Sequence, residues 1–279
     1  MIKMLSNIQP VMIFVLLGFF FTLETYIPYL TQYRNRRKHT LRNLVLVLIS
    51  FTVNGLAASW LTYWLSVIHE RGWGLLNLLN IGLVPSVILG VLYIDLDSYV
   101  GHIVLHKVPL LWRVHRIHHS DNELDSTTSL RFHPFETLFS ALWRTVTFSL
   151  FGVSFASFVI FFTINLPLLF IQHANIRFPG FVEKWLSLFI VTSTWHKVHH
   201  SDEPEYTDSH FGSVFTFWDR IFGTWHRNVA IDKLKWGLKE LKADKDQRID
   251  SQLLLPFRRV GKVTRQAEEP QGNQAIISQ

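Results

Sequence analysis

The sequence predicts an all-α integral membrane protein: about four spanning helices, plus a cytosol-facing helical cap that carries a histidine-rich metal site. Three observations lead there. The chain is apolar for a folded protein, 48% hydrophobic against 17% charged, with mean hydropathy +0.19. Its apolar residues gather into four long regions. Most of its 14 histidines sit in short clusters just beyond those regions. Cysteine is absent, which excludes a disulfide framework, thiolate metal sites and a cysteine nucleophile. The formal charge is +6, but the basic residues flank apolar segments and form no basic face interleaved with aromatics. Nucleic-acid binding is therefore not expected.

The first apolar region runs from Pro10 to Ile27. It follows a single charge, Lys3, and lacks a small-residue cleavage site, so a retained helix is expected. The second, Leu44 to Ile68, is uncharged, and the third is Leu75 to Ile94. Each is near the roughly 20 residues a spanning helix needs. Trp60, Tyr63, Trp64 and Trp73 stand where interfacial anchors belong. The fourth, Leu138 to Ile171, is too long for one untilted span and is interrupted by Gly152, Asn165 and Pro167. A tight hairpin of two short helices fits it, with Arg144 at the interface.

Charge sets the orientation. The Thr31–Arg42 loop holds Arg34, Arg36, Arg37, Lys38 and Arg42, whereas the opposite loop, His69 to Gly74, holds only Arg71. The first loop is therefore expected on the cytoplasmic side. Counting spans puts everything after Ile94, apart from the hairpin, on that side too. Residues 1–94 then form helices 1–3 with basic loop 31–42, and residues 138–171 form the hairpin. Residues 95–137 carry the first two histidine clusters, residues 172–265 form a cytosolic cap with the third, and 266–279 form a disordered tail. Residues 233–248 read as a charged surface helix, with Trp218, Phe222 and Trp225 as packing residues.

The clusters are His102-Ile-Val-Leu-His106, His115-Arg-Ile-His118-His119 and His196-Lys-Val-His199-His200. Spacings of three and four place each set on one helix face. Neutral imidazole is a good iron ligand that adds no charge. Eight histidines can serve a paired-iron site and still leave positions open for dioxygen. Carboxylate-bridged bundles use Glu-x-x-His pairs, and zincins use His-Glu-x-x-His; both are missing here.

These three clusters resemble the histidine boxes of the fatty acid hydroxylase/sterol desaturase superfamily. Asp95-Leu-Asp-Ser-Tyr99 is similar to its acidic-aromatic lead-in, Leu111-Trp-Arg-Val-His115 to the approach to its second box, and Trp218-Asp-Arg-Ile-Phe-Gly-Thr224 to its signature after the third. The resemblance covers roughly residues 90–226. It implies two non-haem irons, dioxygen as cosubstrate, and two electrons from a separate reductase or small carrier protein. The product would be a hydroxylated or desaturated lipid. It also implies an additional ligand in the region of His173. His210 stands where the family pattern has asparagine, and could be a ligand, an outer hydrogen-bond donor or a polar replacement.

Asp95, Asp208 and Asp219 are candidates to hold the far nitrogen of a ligating histidine. The alternatives are a helix-end carboxylate for Asp95, and for Asp219 a pair with Arg220 or a nearby helix end. His133 could line the pocket, orient a ligand or shape a turn. Glu24 is expected to be structural, and His39 and His226 to lie on the surface. Phe211, Phe215, Phe217 and Trp218 could line a lipid entrance or pack in a core. Two rivals remain: a membrane haem-b electron carrier, which needs facing histidines inside the bilayer, and a non-catalytic metal-binding membrane protein, which needs polar groups within the spans.

Overall fold

The computed structural model describes residues 1–29, 35–79, 81–227, 229 and 231–258. Arg34 and the expected tail 266–279 lie outside these. Among the described residues there are helices and turns but no β-strand; two isolated bridges join Ile190 to Phe215 and Ser201 to Trp236.

Helix α1 spans Ile2–Tyr26, with Pro10 inside it rather than at its start. Helix α2 spans Arg36–Arg71. The Asn35 side chain accepts from the Lys38 amide at 3.0 Å, so the helix begins within the basic segment. Arg36, Arg37, Lys38 and Arg42 are thus its first turns and not a loop. A short α3 (Leu75–Leu78) precedes α4, Leu83–Lys107, which runs unbroken from the third apolar region through the first histidine cluster. Pro109 then opens α5, Pro109–His119, as a first-turn proline that needs no amide partner.

The fourth region is a hairpin of α6, Pro134–Phe151, and α7, Phe155–His173. Only Gly152 breaks it, in a left-handed conformation at φ 83°. Asn165 and Pro167 stay within α7. Four stretches are long and apolar enough to cross a membrane: Ile2–Tyr26, Arg36–Leu78, Leu83–Lys107 and Phe155–His173. Helix α6, which carries Glu136 and Arg144, is not one of them. Outward residues on the spanning stretches are apolar and open, such as Phe14 at 71%, Leu48 at 72% and Val84 at 67% exposure. That is the surface lipid tails require.

Helix α1 packs on α7, α2 on α6, and α4 on α7. Leu65, Ile68, Ile94, Phe148, Phe161 and Val214 form the core where these meet. At Gly90 in α4, a Cβ would overlap the Ser157 side chain of α7. Gly90→Ala is expected to lower stability by about 1–3 kcal/mol, read as a fall in the thermal midpoint in detergent, and Ser157→Gly in the same chain should recover much of it.

The cap is built from α8 (Gly180–Leu186), α9 (Ser193–His199), α10 (Pro204–Thr207), α11 (Phe217–Ile221) and α12 (Ile249–Leu254). Residues 233–248 do not form a helix. They contribute to the 3-10 turns Ile231–Lys233, Lys239–Leu241 and Asp244–Gln247, with Gly237 at φ 83°. The reason is packing: Leu238 and Leu241 turn inward onto Ile117 and Leu255, which one straight charged helix could not arrange. Phe222, although 56% exposed, stacks on Tyr99 and Trp218, and Trp225 packs tilted against Trp195 and edge-on to His210.

His39 is buried, not on the surface. Its Nε2 lies 2.8 Å from Asp121 and its Nδ1 3.3 Å from Asp125. Glu24 is buried as well and accepts from the Ser126 amide at 2.8 Å and the Asn175 amide at 2.7 Å, fastening α1 to the segments after α5 and α7. His226, by contrast, keeps a side chain 36% exposed.

Candidate metal centre

Helix α4 presents His102 and His106 one turn apart, α5 presents His115, His118 and His119, and α9 with the residue after it presents His196, His199 and His200. The end of α7 adds His173. The crossing of α4, α5, α7 and α9 brings these nine imidazoles together in two groups. One is His102, His106, His115, His119 and His199; the other is His118, His173, His196 and His200. Within each group the ligand nitrogens lie within 4.8 Å of one another.

The nitrogens touch in pairs. His102 Nε2 is 3.2 Å from His115 Nε2 and 3.1 Å from His199 Nε2. His106 and His119 are 3.1 Å apart. In the second group, His173 Nε2 lies 3.1 Å from both His118 and His196, and His196 lies 3.2 Å from His200. A divalent metal bound to imidazole at about 2.1 Å holds neighbouring ligand nitrogens about 3.0–3.4 Å apart, at right-angled to tetrahedral geometry.

Hydrogen bonding is not the reason for these contacts. His102 Nδ1 donates to the Phe211 carbonyl at 3.1 Å, and His199 Nδ1 to the Ser209 carbonyl at 2.6 Å. His115 Nδ1 lies 2.8 Å from Glu136 Oε1. A carbonyl oxygen can only accept, as can a carboxylate, so the proton on each of these rings is on Nδ1. Three bare Nε2 lone pairs then face one another, and only a cation between them turns that repulsion into attraction. Burial and the neighbouring imidazoles hold His118, His119, His196, His199 and His200 well below the usual histidine range. They are therefore neutral, which is the ligating form. The same contacts leave no gap for a porphyrin plane between the facing rings.

The outer partners were the harder part to read from sequence. Glu136, in the first turn of α6, was not singled out, although it is the only acidic residue of that helix. Glu136→Gln is expected to weaken metal retention about 10–100-fold against a chelator titration, because the amide cannot support the His115 ring as a carboxylate does. Asp208 does approach a box histidine: its Oδ1 is 3.4 Å from His106 Nδ1, while Oδ2 pairs with Lys107 at 2.7 Å. Asp95 touches no histidine. It accepts from the Val214 and Phe215 amides at 2.9 and 3.2 Å and from the Trp218 indole at 2.9 Å. Asp219 does not pair with Arg220 but accepts from the Phe211 and Gly212 amides at 2.8 and 2.9 Å. Both acids thus fix the loop whose Phe211 carbonyl orients His102.

His210 joins neither group. Its backbone is left-handed, at φ 50°, a conformation in which asparagine and histidine are both enriched. The ring stacks on Trp195, and its Nε2 accepts from the His226 amide at 3.2 Å. His133 caps α6, its Nδ1 accepting from the Phe135 amide at 3.1 Å, so it shapes a turn. Lys197, buried in the third box, donates to the Ala174 carbonyl at 2.6 Å and so ties α9 to the end of α7 where His173 sits. Burial pushes its ammonium down to about 7. Phe211 packs edge-on against His102 and is fully buried, as core packing requires.

A family model described as fatty acid hydroxylase matches residues 87–224, which span α4 to the loop after α11 and include every histidine of both groups. The chain belongs to the fatty acid hydroxylase family. An ornithine lipid hydroxylase from Rhizobium tropici is 26% identical over 63% of the chain and 52% of its own length. The alkylglycerol monooxygenase of Xenopus tropicalis is 29% identical over 47% of the chain and 28% of its own length. Human cholesterol 25-hydroxylase is 26% identical over 51% of the chain and 52% of its own length. The similarity thus reaches no more than about half of these relatives. No solved structure matches the chain. In this chain both histidine groups lie at the ends of apolar helices α4 and α7. A cavity of about 510 Å³ runs from His102, His115, His118, His173 and His196 down between those helices, walled by apolar groups such as Leu61 and Phe158.

Proposed function

We propose that this fatty acid hydroxylase family member is an oxygen-dependent di-iron oxidoreductase that hydroxylates or desaturates an unactivated C–H bond of a membrane lipid. The observation that carries the reading is the pair of buried, neutral histidine groups opening onto an apolar cavity within the helix bundle. One iron is assigned to His102, His106, His115, His119 and His199, the other to His118, His173, His196 and His200. Residues 1–94 and 138–171 serve as the membrane stem, and 95–137 with 172–265 as the catalytic cap. The basic start of α2 argues for a cytoplasmic active site, within reach of a reductase or small electron-carrier protein.

Iron held there supplies dioxygen activation, with two electrons from the external donor. The chain's own residues do the rest. Phe211, Ser209 and Glu136 hold the Nδ1 protons of His102, His199 and His115, and so aim the Nε2 lone pairs. The second group is oriented through His173, whose Nδ1 donates to the Leu169 carbonyl at 2.8 Å. The apolar cavity wall excludes water and admits a lipid chain from the bilayer side. The relatives' names, which specify an ornithine lipid, an alkylglycerol and cholesterol, support a lipid substrate.

Elemental analysis tests this on detergent-purified protein made with iron and without a histidine tag. Two irons per chain, no haem absorption, and oxygen uptake coupled to a lipid that gains one oxygen or loses two hydrogens are expected. Stoichiometric zinc, with no oxygen uptake after iron reconstitution, would overturn the reading.

A further inference from the structure

The cavity carries a second polar feature, away from the histidines. Most polar side chains on its wall are engaged. Gln9 donates to the Val159 carbonyl and to Thr163, Asn54 accepts from Thr137, Asn165 accepts from Ser213, and Gln172 donates to the Ser213 carbonyl. Apart from the histidines and Glu136, three wall residues keep a buried side-chain atom with no hydrogen-bond partner among the described residues: Asp97 at Oδ2, Ser98 at Oγ and Arg144 at Nε. Asp97 is 5% exposed, and its other oxygen accepts from the Trp143 indole at 2.8 Å. The Thr147 hydroxyl, on the same helix as Arg144, donates to the Trp143 carbonyl at 3.1 Å. The Arg144 guanidinium lies 5.3 Å over the Phe162 ring.

Asp97, on α4, and Arg144, on α6, interact electrostatically, yet no ion pair within 4.0 Å closes between them. Opposite charges left unpaired in an apolar cavity stay costly, and a polar ligand bridging them would lower that cost. Here a carboxylate and a guanidinium, each with one buried atom left without a partner, belong to the wall of the same cavity, and their charges cancel. A carboxylate or phosphate would add a net charge to that space, and a pure hydrocarbon would leave both atoms unsatisfied. The complementary ligand is neutral and both donates and accepts.

We propose that Asp97, Ser98 and Arg144 form a polar subsite for a neutral hydroxyl-bearing lipid, the hydroxyl donating to Asp97 and accepting from Arg144. This deepens the lipid-oxidation reading and rests on it for calling the ligand a substrate. It also bears on regiochemistry. Asp97 precedes His102 by five residues, roughly 7.5 Å along α4 at helical rise, so the oxidised carbon lies several bonds from the hydroxyl. Asp97, Ser98 and Arg144 are binding residues in this scheme, and the histidines and Glu136 are not altered in its test.

The test is binding, with three probes of one chain length: hexadecan-1-ol, hexadecane and hexadecanoate. Each competes with a fluorescent lipid for the full-length protein in nanodiscs, with and without iron. The alcohol is expected to bind at least about tenfold more tightly than the other two, the size of one charge-assisted hydrogen bond. Arg144→Gln keeps a donor and should retain part of that preference, whereas Arg144→Met and Asp97→Leu should erase it while hexadecane binding persists. Persistent hexadecane binding shows that the cavity is intact, so a variant that merely misfolds is recognised. Equal binding of alcohol and alkane to the unaltered protein, as if only water filled the gap, would overturn the subsite. So would tightest binding of hexadecanoate, or an alcohol preference untouched in both apolar variants. Because the ratio is read without iron as well, it stands or falls independently of whether the protein consumes oxygen.

Discussion

His199→Ala is expected to abolish turnover and to lower bound iron, while membrane insertion and helical content stay unchanged. The imidazole sits at the centre of the first group, its Nε2 3.1 Å from that of His102 and its ring within 5 Å of His106 and His119. Its removal takes away one ligand and also the partner of the Ser209 carbonyl. Neither Asp208, which is turned to Lys107 and the far nitrogen of His106, nor the loop acids, which are tied to amides, is placed to replace it. Iron per chain and oxygen uptake should both fall, the latter to background, whereas circular dichroism of the detergent-solubilised protein should not move. Full activity in this variant would sink the metal assignment.

Asp121→Asn is expected to be the most destabilising single change outside the histidines, at about 3–5 kcal/mol, because it takes a buried carboxylate from between His39 and Arg131 and leaves Asp125 as the acid beside His39. Asp121 accepts from His39, from Asn43 at 3.2 Å and from Thr128 at 2.7 Å. Beside it, the fully buried Arg131 donates to the Ile117 carbonyl, Asn43, Ser120 and Gln247. Burial alone would raise the Asp121 carboxyl, but the charges of His39 and Arg131 outweigh that and hold it well below the usual carboxylate range. A depressed folded-state value means the stabilisation is complete above the unfolded value of about 3.9 and fades as pH falls below it. The gap in thermal midpoint between the two proteins should therefore be full at neutral pH and shrink below about pH 4. A constant gap across that range would show that the charge is not what stabilises the network.

Much of the site was legible because its signal is local. Spacings of three and four residues put imidazoles on one helix face wherever that helix goes, so the eight box histidines could be named before their helices were placed. Apolar runs likewise marked the spanning stretches, since a bilayer demands about the same length of every one. Boundaries were less legible. The basic segment before Leu44 became helix because Asn35 caps it, and a capping side chain is a one-residue signal. Asn165 and Pro167 failed to break α7 for the same reason that Gly152 did break the hairpin: only the latter adopts a left-handed turn.

The sequence by itself determined the class of this protein: an apolar helical stem and histidines patterned for a metal. Tertiary structure decided how those histidines divide. His118 leaves its neighbours on α5 to join His173 and His196, while His199 leaves His200 to join His102. It also chose the outer partners, taking Glu136 from the hairpin and carbonyls from the 209–211 loop, and it gave Asp95 to backbone amides instead. The physical reason is that helix periodicity fixes which side chains share a face, whereas the hydrogen bonds behind the rings of His199, His115 and His102 come from segments 10, 21 and 109 residues away in the chain, brought close only when the apolar stem packs.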